Sequence, residues 1–156
     1  MELETEERRD ISMILIRVVV GLVFLLEGSL KFLRPEELGS GRFEALGLPF
    51  PHYLAPLVGG IEIGAGAAIL LNFYAGDAAL VLLMVIATAL ITTKFPILLG
   101  RPLGPFPLEK LKEYGWLSFF HQARTDFCMV FGLLAILIDS GLKVGHKRRW
   151  YQTGPN

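Results

Sequence analysis

Hydrophobic and polar positions alternate in blocks rather than at the period of a soluble helix or strand. Four apolar stretches, about 11–33, 54–71, 77–99 and 117–142, are separated by segments rich in Gly, Pro and charge. About 20 mainly apolar residues cross a bilayer as a helix, so the pattern predicts an all-α membrane protein, a bundle of four transmembrane helices. A polar N-terminal tail (1–10) and a basic C-terminal tail (143–156) flank a single membrane domain over 11–142. The first span is too long for a signal-peptide core and lacks a basic start or a small-residue cleavage site, so it reads as a retained helix.

Punctuation between the blocks sets the connections. Arg34-Pro35 closes the first span, and the Gly- and Pro-containing stretch from Pro35 to Pro51 reads as a loop outside the hydrocarbon, with Tyr53 in the aromatic belt. Asn72 to Asp77 is a short turn, making the second and third helices antiparallel neighbours. Pro96 should end or kink the third helix at Phe95, and Thr88, Thr92 and Thr93 have local carbonyls within reach of their hydroxyls. After a Pro/Gly turn at Gly100 to Pro107, one or two turns of interfacial helix are expected before the last span. The uninterrupted apolar core of that span, Phe127 to Ile138, is only 12 residues, short of a bilayer about 30 Å thick. One solution extends the helix upstream through Trp116, carrying His121, Arg124 and Asp126 to membrane depth. The other starts it at a Thr125 or Asp126 cap.

Composition changes the picture only by exclusion. Hydrophobic residues make up 53% of the chain and the mean hydropathy is +0.51, which a soluble domain of this size does not show. A formal net charge of zero gives no electrostatic ground for nucleic acid as a partner. With Cys128 as the lone cysteine there is neither an internal disulfide nor a CxxC pair. Histidines and carboxylates lack the spacing of a bundle haem, a di-iron site or zinc, and there is no phosphate-binding loop, so no tightly bound metal or nucleotide is expected.

Charges inside the spans are the candidate chemistry. A charge at the bilayer centre costs roughly 2.5 to 3.5 kcal/mol on insertion scales and marks protein-facing or water-facing positions. Arg17, Gly21, Phe24, Gly28 and Lys31 fall on one helical stripe with Glu27 beside it, and the second span offers Glu62 near Gly59 and Gly66. Glu27 or Glu62 is therefore the expected partner of Arg17 or Lys31. Gly60-x-x-x-Gly64 has the spacing of a close helix contact, within one chain or across a homodimer. His121 and Asp126 are the candidate proton-handling groups, with Lys94 and Arg124 as anchors for an oxygen-rich head group; Lys94 and His121 are expected at one pocket mouth. On a continuous helix Asp126 is turned about 140° from His121.

In order along the chain, Glu27-Gly28 with Lys31-Phe32, Gly41-Arg42-Phe43 with Gly47-Leu48-Pro49, Gly59 with Glu62-Ile63, the run Thr92 to Gly100, and His121-x-Ala-Arg-Thr-Asp126 make a pattern that resembles the DoxX family, from about Ile14 to Leu142. It departs at Asn72 to Gly76, where a Gly-x-x-Thr-Arg type turn is expected. The resemblance implies a four-helix membrane bundle and, because the family is named for a small membrane subunit of an archaeal thiosulfate:quinone oxidoreductase, a quinone-interacting subunit served by a peripheral oxidoreductase partner. The alternative is a non-catalytic membrane anchor or scaffold, or a carrier of a small apolar molecule. A prokaryotic plasma membrane is the expected location. Basic residues outside the spans favour cytoplasmic termini, mainly because Lys143, Lys147, Arg148 and Arg149 directly follow the last span.

Overall fold

Each apolar block becomes a membrane-length helix. The computed structural model describes residues 2–141, so the basic tail lies outside the described residues. Helix α1 (Glu2–Leu33) is followed by two short helices, α2 (Pro35–Leu38) and α3 (Ser40–Ala45), then by α4 (Pro51–Leu70) and α5 (Ala75–Ala89). A π-helical turn, Leu90–Lys94, joins α5 to α6 (Phe95–Leu99), and α7 (Trp116–Asp139) completes the order. Among the described residues, four stretches are long and apolar enough to cross a membrane: Glu7–Leu33, Pro51–Leu70, Ala75–Leu99 and Trp116–Asp139. They close a ring in which α1 packs on α4, α4 on α5, α5 on α7 and α7 on α1. The chain is thus an integral membrane four-helix bundle whose first and last spans both approach the same end.

Several local outcomes differ from expectation for identifiable reasons. The polar start is helical back to Glu2, so tail and first span form one rod of 32 residues; acidic residues complement a helix N-terminus, and Glu4 preceding Arg8 is the favourable i,i+4 order. The Pro35–Pro51 stretch is an elbow of two short helices rather than plain loop, begun by Pro35 in the first turn with Glu36 and Glu37 behind it. Conversely, no helix forms between Gly100 and Gly115. Pro102, Pro105 and Pro107 remove donors there, and the Tyr114 hydroxyl, donating to the Glu109 carbonyl at 3.1 Å and accepting from the Leu111 amide at 3.2 Å, satisfies backbone groups that a helix would have paired. The last span is continuous from Trp116, which decides for upstream extension over a cap at Thr125 or Asp126.

Glycine decides how closely α1 and α4 approach. A Cβ on Gly28 would lie 2.6 Å from the Gly59 carbonyl oxygen, and one on Gly21 2.9 Å from that of Gly66. The contact therefore uses Gly21 and Gly28 against Gly66 and Gly59, while Gly60 and Gly64 face open space. Toward the chain termini the bundle is tightly filled by Val20, Ile69, Ala79, Leu82, Leu133 and Ile136 among others. Toward the elbow it opens.

Candidate functional site

Charged residues occupy two levels of the bundle. At the terminal end, Arg17 Nη2 donates to Asp139 Oδ2 at 2.6 Å, and Arg9 Nη2 to Asp139 Oδ1 at 3.3 Å. Arg17 and Asp139 are each only 10% exposed at the side chain. Arg17 thus pairs with Asp139, not with Glu27 or Glu62: the start of α1 and the end of α7 lie at one end of the bundle, so the last residue of α7 reaches the depth of Arg17. Fourteen residues further along α1, about 21 Å by helix rise, Lys31 Nζ donates to Glu62 Oε2 at 2.5 Å. This is one of the pairings expected from the sequence, set beside the Gly28–Gly59 crossing.

Above the packed half lies a cavity of about 560 Å³. Its floor is apolar, because Phe24, Ile86 and Met129 belong both to the core and to the lining. Its walls carry Glu27, Lys31 and Glu62 from α1 and α4, Thr88, Thr92, Thr93 and Lys94 from α5 and the π turn, and Gln122, Thr125 and Asp126 from α7. Over it the elbow holds Leu38, Arg42 and Phe43. Gly39 and Gly41 let the elbow fold that tightly, since a Cβ on either would collide with the backbone at Lys31, Pro35 or Glu36.

The π turn shapes the second wall. Pro96 has no amide proton for a normal helical bond; instead of breaking the helix, the chain widens it, with the Phe95 amide donating to the Leu90 carbonyl five residues back. A wider turn keeps successive side chains closer in direction, so Thr92, Thr93 and Lys94 all face the cavity. The threonine hydroxyls are locally satisfied as the sequence suggests, on carbonyls three or four residues back.

The two halves of the α7 motif separate. Asp126 is half-buried and lines the cavity with Lys94, while His121 and Arg124 lie on the outer surface and Arg124 donates to the His121 carbonyl. Lys94 and His121 therefore do not share a pocket mouth. Gln122, Thr125, Asp126 and Met129 are the inward residues at i, i+3, i+4 and i+7, a face fixed by the packing of Phe119, Ala123 and Leu133. Among the described residues, the side chains of Glu27, Arg42, Lys94 and Asp126 enter no hydrogen bond or ion pair. Lys94 and Arg42 attract the Asp126 carboxylate through space and Glu27 repels it. Arg42, Gln122 and the threonines were not singled out as site residues from the sequence; the Gly41-Arg42-Phe43 motif was the available signal for Arg42.

A family model for DoxX matches residues 12–94. The chain belongs to the DoxX family. An uncharacterized membrane protein of Mycobacterium tuberculosis is 41% identical to this DoxX chain over 126 residues, 81% of this chain and 73% of that protein. No solved structure matches this chain. The family match takes in Lys31, Arg42, Glu62 and Lys94 and stops before Asp126.

Proposed function

We propose that this DoxX protein binds the head group of a quinone-like lipid-soluble molecule in the chamber above Phe24, Ile86 and Met129, as the membrane subunit of an oxidoreductase. The observation that carries the reading is the combination of an apolar floor with four charged side chains left unpaired among the described residues, Arg42 and Lys94 against Glu27 and Asp126. Ligand pockets are mostly apolar with a few placed polar groups. Charges on the lining balance, Lys31, Arg42 and Lys94 against Glu27, Glu62 and Asp126, which suits an uncharged head rather than an oxyanion. A bound quinone would supply two-electron, two-proton redox chemistry, with electrons from a peripheral partner. Lys94 and Arg42 hold its oxygens by donated hydrogen bonds, and Asp126 is the proton-exchanging group; His121 and Arg124, on the outside, have no part in it.

The same reading places the chain in a prokaryotic plasma membrane with both termini in the cytoplasm, so that the chamber lies toward the opposite face. The test uses protein purified in native-lipid nanodiscs, with solvent extraction for co-purified quinone and titration with decylubiquinone. Saturable binding, weakened about tenfold or more by Lys94→Ala or Arg42→Ala and unchanged by His121→Ala, is the expected result. The reading fails if no quinone is extracted and none binds, and a carrier or anchor role then takes its place.

A further inference from the structure

The roof of the chamber has one polar place. Among the described residues, those lining the chamber from outside the four membrane-crossing stretches are Leu38, Arg42, Phe43 and Leu48, and of these only Arg42 has a side chain that can bond water. Arg42 also lines a second cavity, of about 400 Å³, which lies between the elbow at Glu37, Ala45 and Leu46 and the segment Pro107 to Glu109. Thr93 is the other residue common to both cavities, and the rest of the second lining comes from outside the membrane-crossing stretches. The second cavity therefore lies on the aqueous side of the chamber and abuts it at Arg42 and Thr93. Beside it the elbow and the Pro/Gly segment are in direct backbone contact, since a Cβ on Gly47 would stand 2.9 Å from the Pro105 carbonyl oxygen.

We infer that this second cavity is an aqueous vestibule of the chamber and that Arg42 is the partition between them, so that water and protons reach Asp126 and Glu27 past its guanidinium. Ionisable groups at membrane depth face a protein partner or water, and Glu27, Lys94 and Asp126 have no ion-pair partner among the described residues. The chamber floor is closed by the packed core at Phe24, Ile86 and Met129, and the outer sides of the spans face lipid. The roof is the remaining way to water, and Arg42 is its polar break. An arginine suits a partition. It stays charged and carries five donors on a long arm, so it keeps water bonded in the opening, whereas an apolar molecule leaving by the same opening would have to desolvate it. Glu37 and Glu109 add negative charge to the outer cavity, which raises the local concentration of cations.

The inference goes beyond the quinone reading and holds whatever the chamber binds. Its test uses the full chain in native-lipid nanodiscs in a Cys128→Ser background, with a single cysteine placed in the vestibule, Leu46→Cys, or in the chamber, Gln122→Cys. The probe is MTSET, a cationic, lipid-insoluble thiol reagent, and the rate of modification is read by mass spectrometry. Both cysteines should be modified, Leu46→Cys the faster. Arg42→Ala should speed modification of Gln122→Cys several-fold, and Ala45→Trp, which fills the vestibule from a position outside the chamber lining, should slow it several-fold. Should Ala45→Trp not fold, Leu108→Trp fills the same cavity from its other wall. If Gln122→Cys reacts only in denatured protein, the chamber is closed to water and the inference is overturned. A rate indifferent to filling the vestibule overturns the route, and a rate indifferent to Arg42→Ala overturns the partition. None of these outcomes depends on quinone binding, which the titration with decylubiquinone reads separately.

Discussion

Asp139 is held by two arginines, Arg17 at 2.6 Å and Arg9 at 3.3 Å, at the very end of the last span. Removing one member of a buried pair strands the other and costs about 3 to 5 kcal/mol. Arg17→Leu and Asp139→Leu should each lower the melting temperature in detergent sharply, and the double variant should recover much of the loss. Equal, additive losses would show that the two residues act independently. Glu62→Leu should behave like Asp139→Leu, since it strands Lys31, whereas Glu27→Leu should leave the melt nearly unchanged because the Glu27 carboxylate has no ion-pair partner among the described residues. At this scale the sequence was partly legible. Charges inside spans announce pairing, and Lys31–Glu62 was among the pairs expected. For Arg17 the sequence points to Glu27 or Glu62 instead, because helical periodicity specifies direction around one helix, whereas a partner must also match depth, and Asp139 matches it from the opposite end of the chain.

At the scale of elements, glycine placement separates two readings of the same helix. Gly60 and Gly64 carry the familiar spacing, but a Cβ on either meets nothing within 4 Å. Gly60→Ala and Gly64→Ala should therefore leave melting unchanged, while Gly28→Ala, whose Cβ would approach the Gly59 carbonyl to 2.6 Å, should destabilise by about 1 to 3 kcal/mol through overpacking. The opposite order in a thermal melt would place the α1–α4 contact on the wrong face. Spacing alone could not show this, because Gly59 and Gly60 are adjacent and only the partner helix decides which faces inward. The π turn is a second case. Pro96 told of an interruption, yet the outcome was a widened turn that turns Thr92 to Lys94 into the chamber. Pro96→Ala restores an amide and allows a regular helix, so it should weaken ligand binding several-fold without lowering the melting temperature; unchanged affinity would separate the π turn from the site.

Seen whole, the bundle is divided along its axis. Its terminal half is filled by small and branched apolar residues such as Ala79, Leu82, Leu133 and Ile136, and its elbow half holds the chamber of about 560 Å³. The spans and their number follow from block hydropathy, and the pairing of α4 with α5 from the short turn between them, which is why this much of the architecture is readable from the sequence. The chamber was not, because it depends on where the elbow folds back and on how Pro96 is accommodated, features set by tertiary packing rather than by periodicity. The sequence puts His121 in the candidate site for the same reason: a polar turn at membrane depth is visible in sequence, but which of its residues line the chamber is fixed by the packing of Phe119, Ala123 and Leu133. The most direct test is photo-crosslinking with an azido-quinone in nanodiscs, followed by peptide mapping. The account predicts label on Thr88 to Lys94 and on Gln122 to Met129, competed away by unlabelled ligand. Label confined to the outer face around Trp116, Phe120 and His121, or label that no competitor displaces, would contradict it.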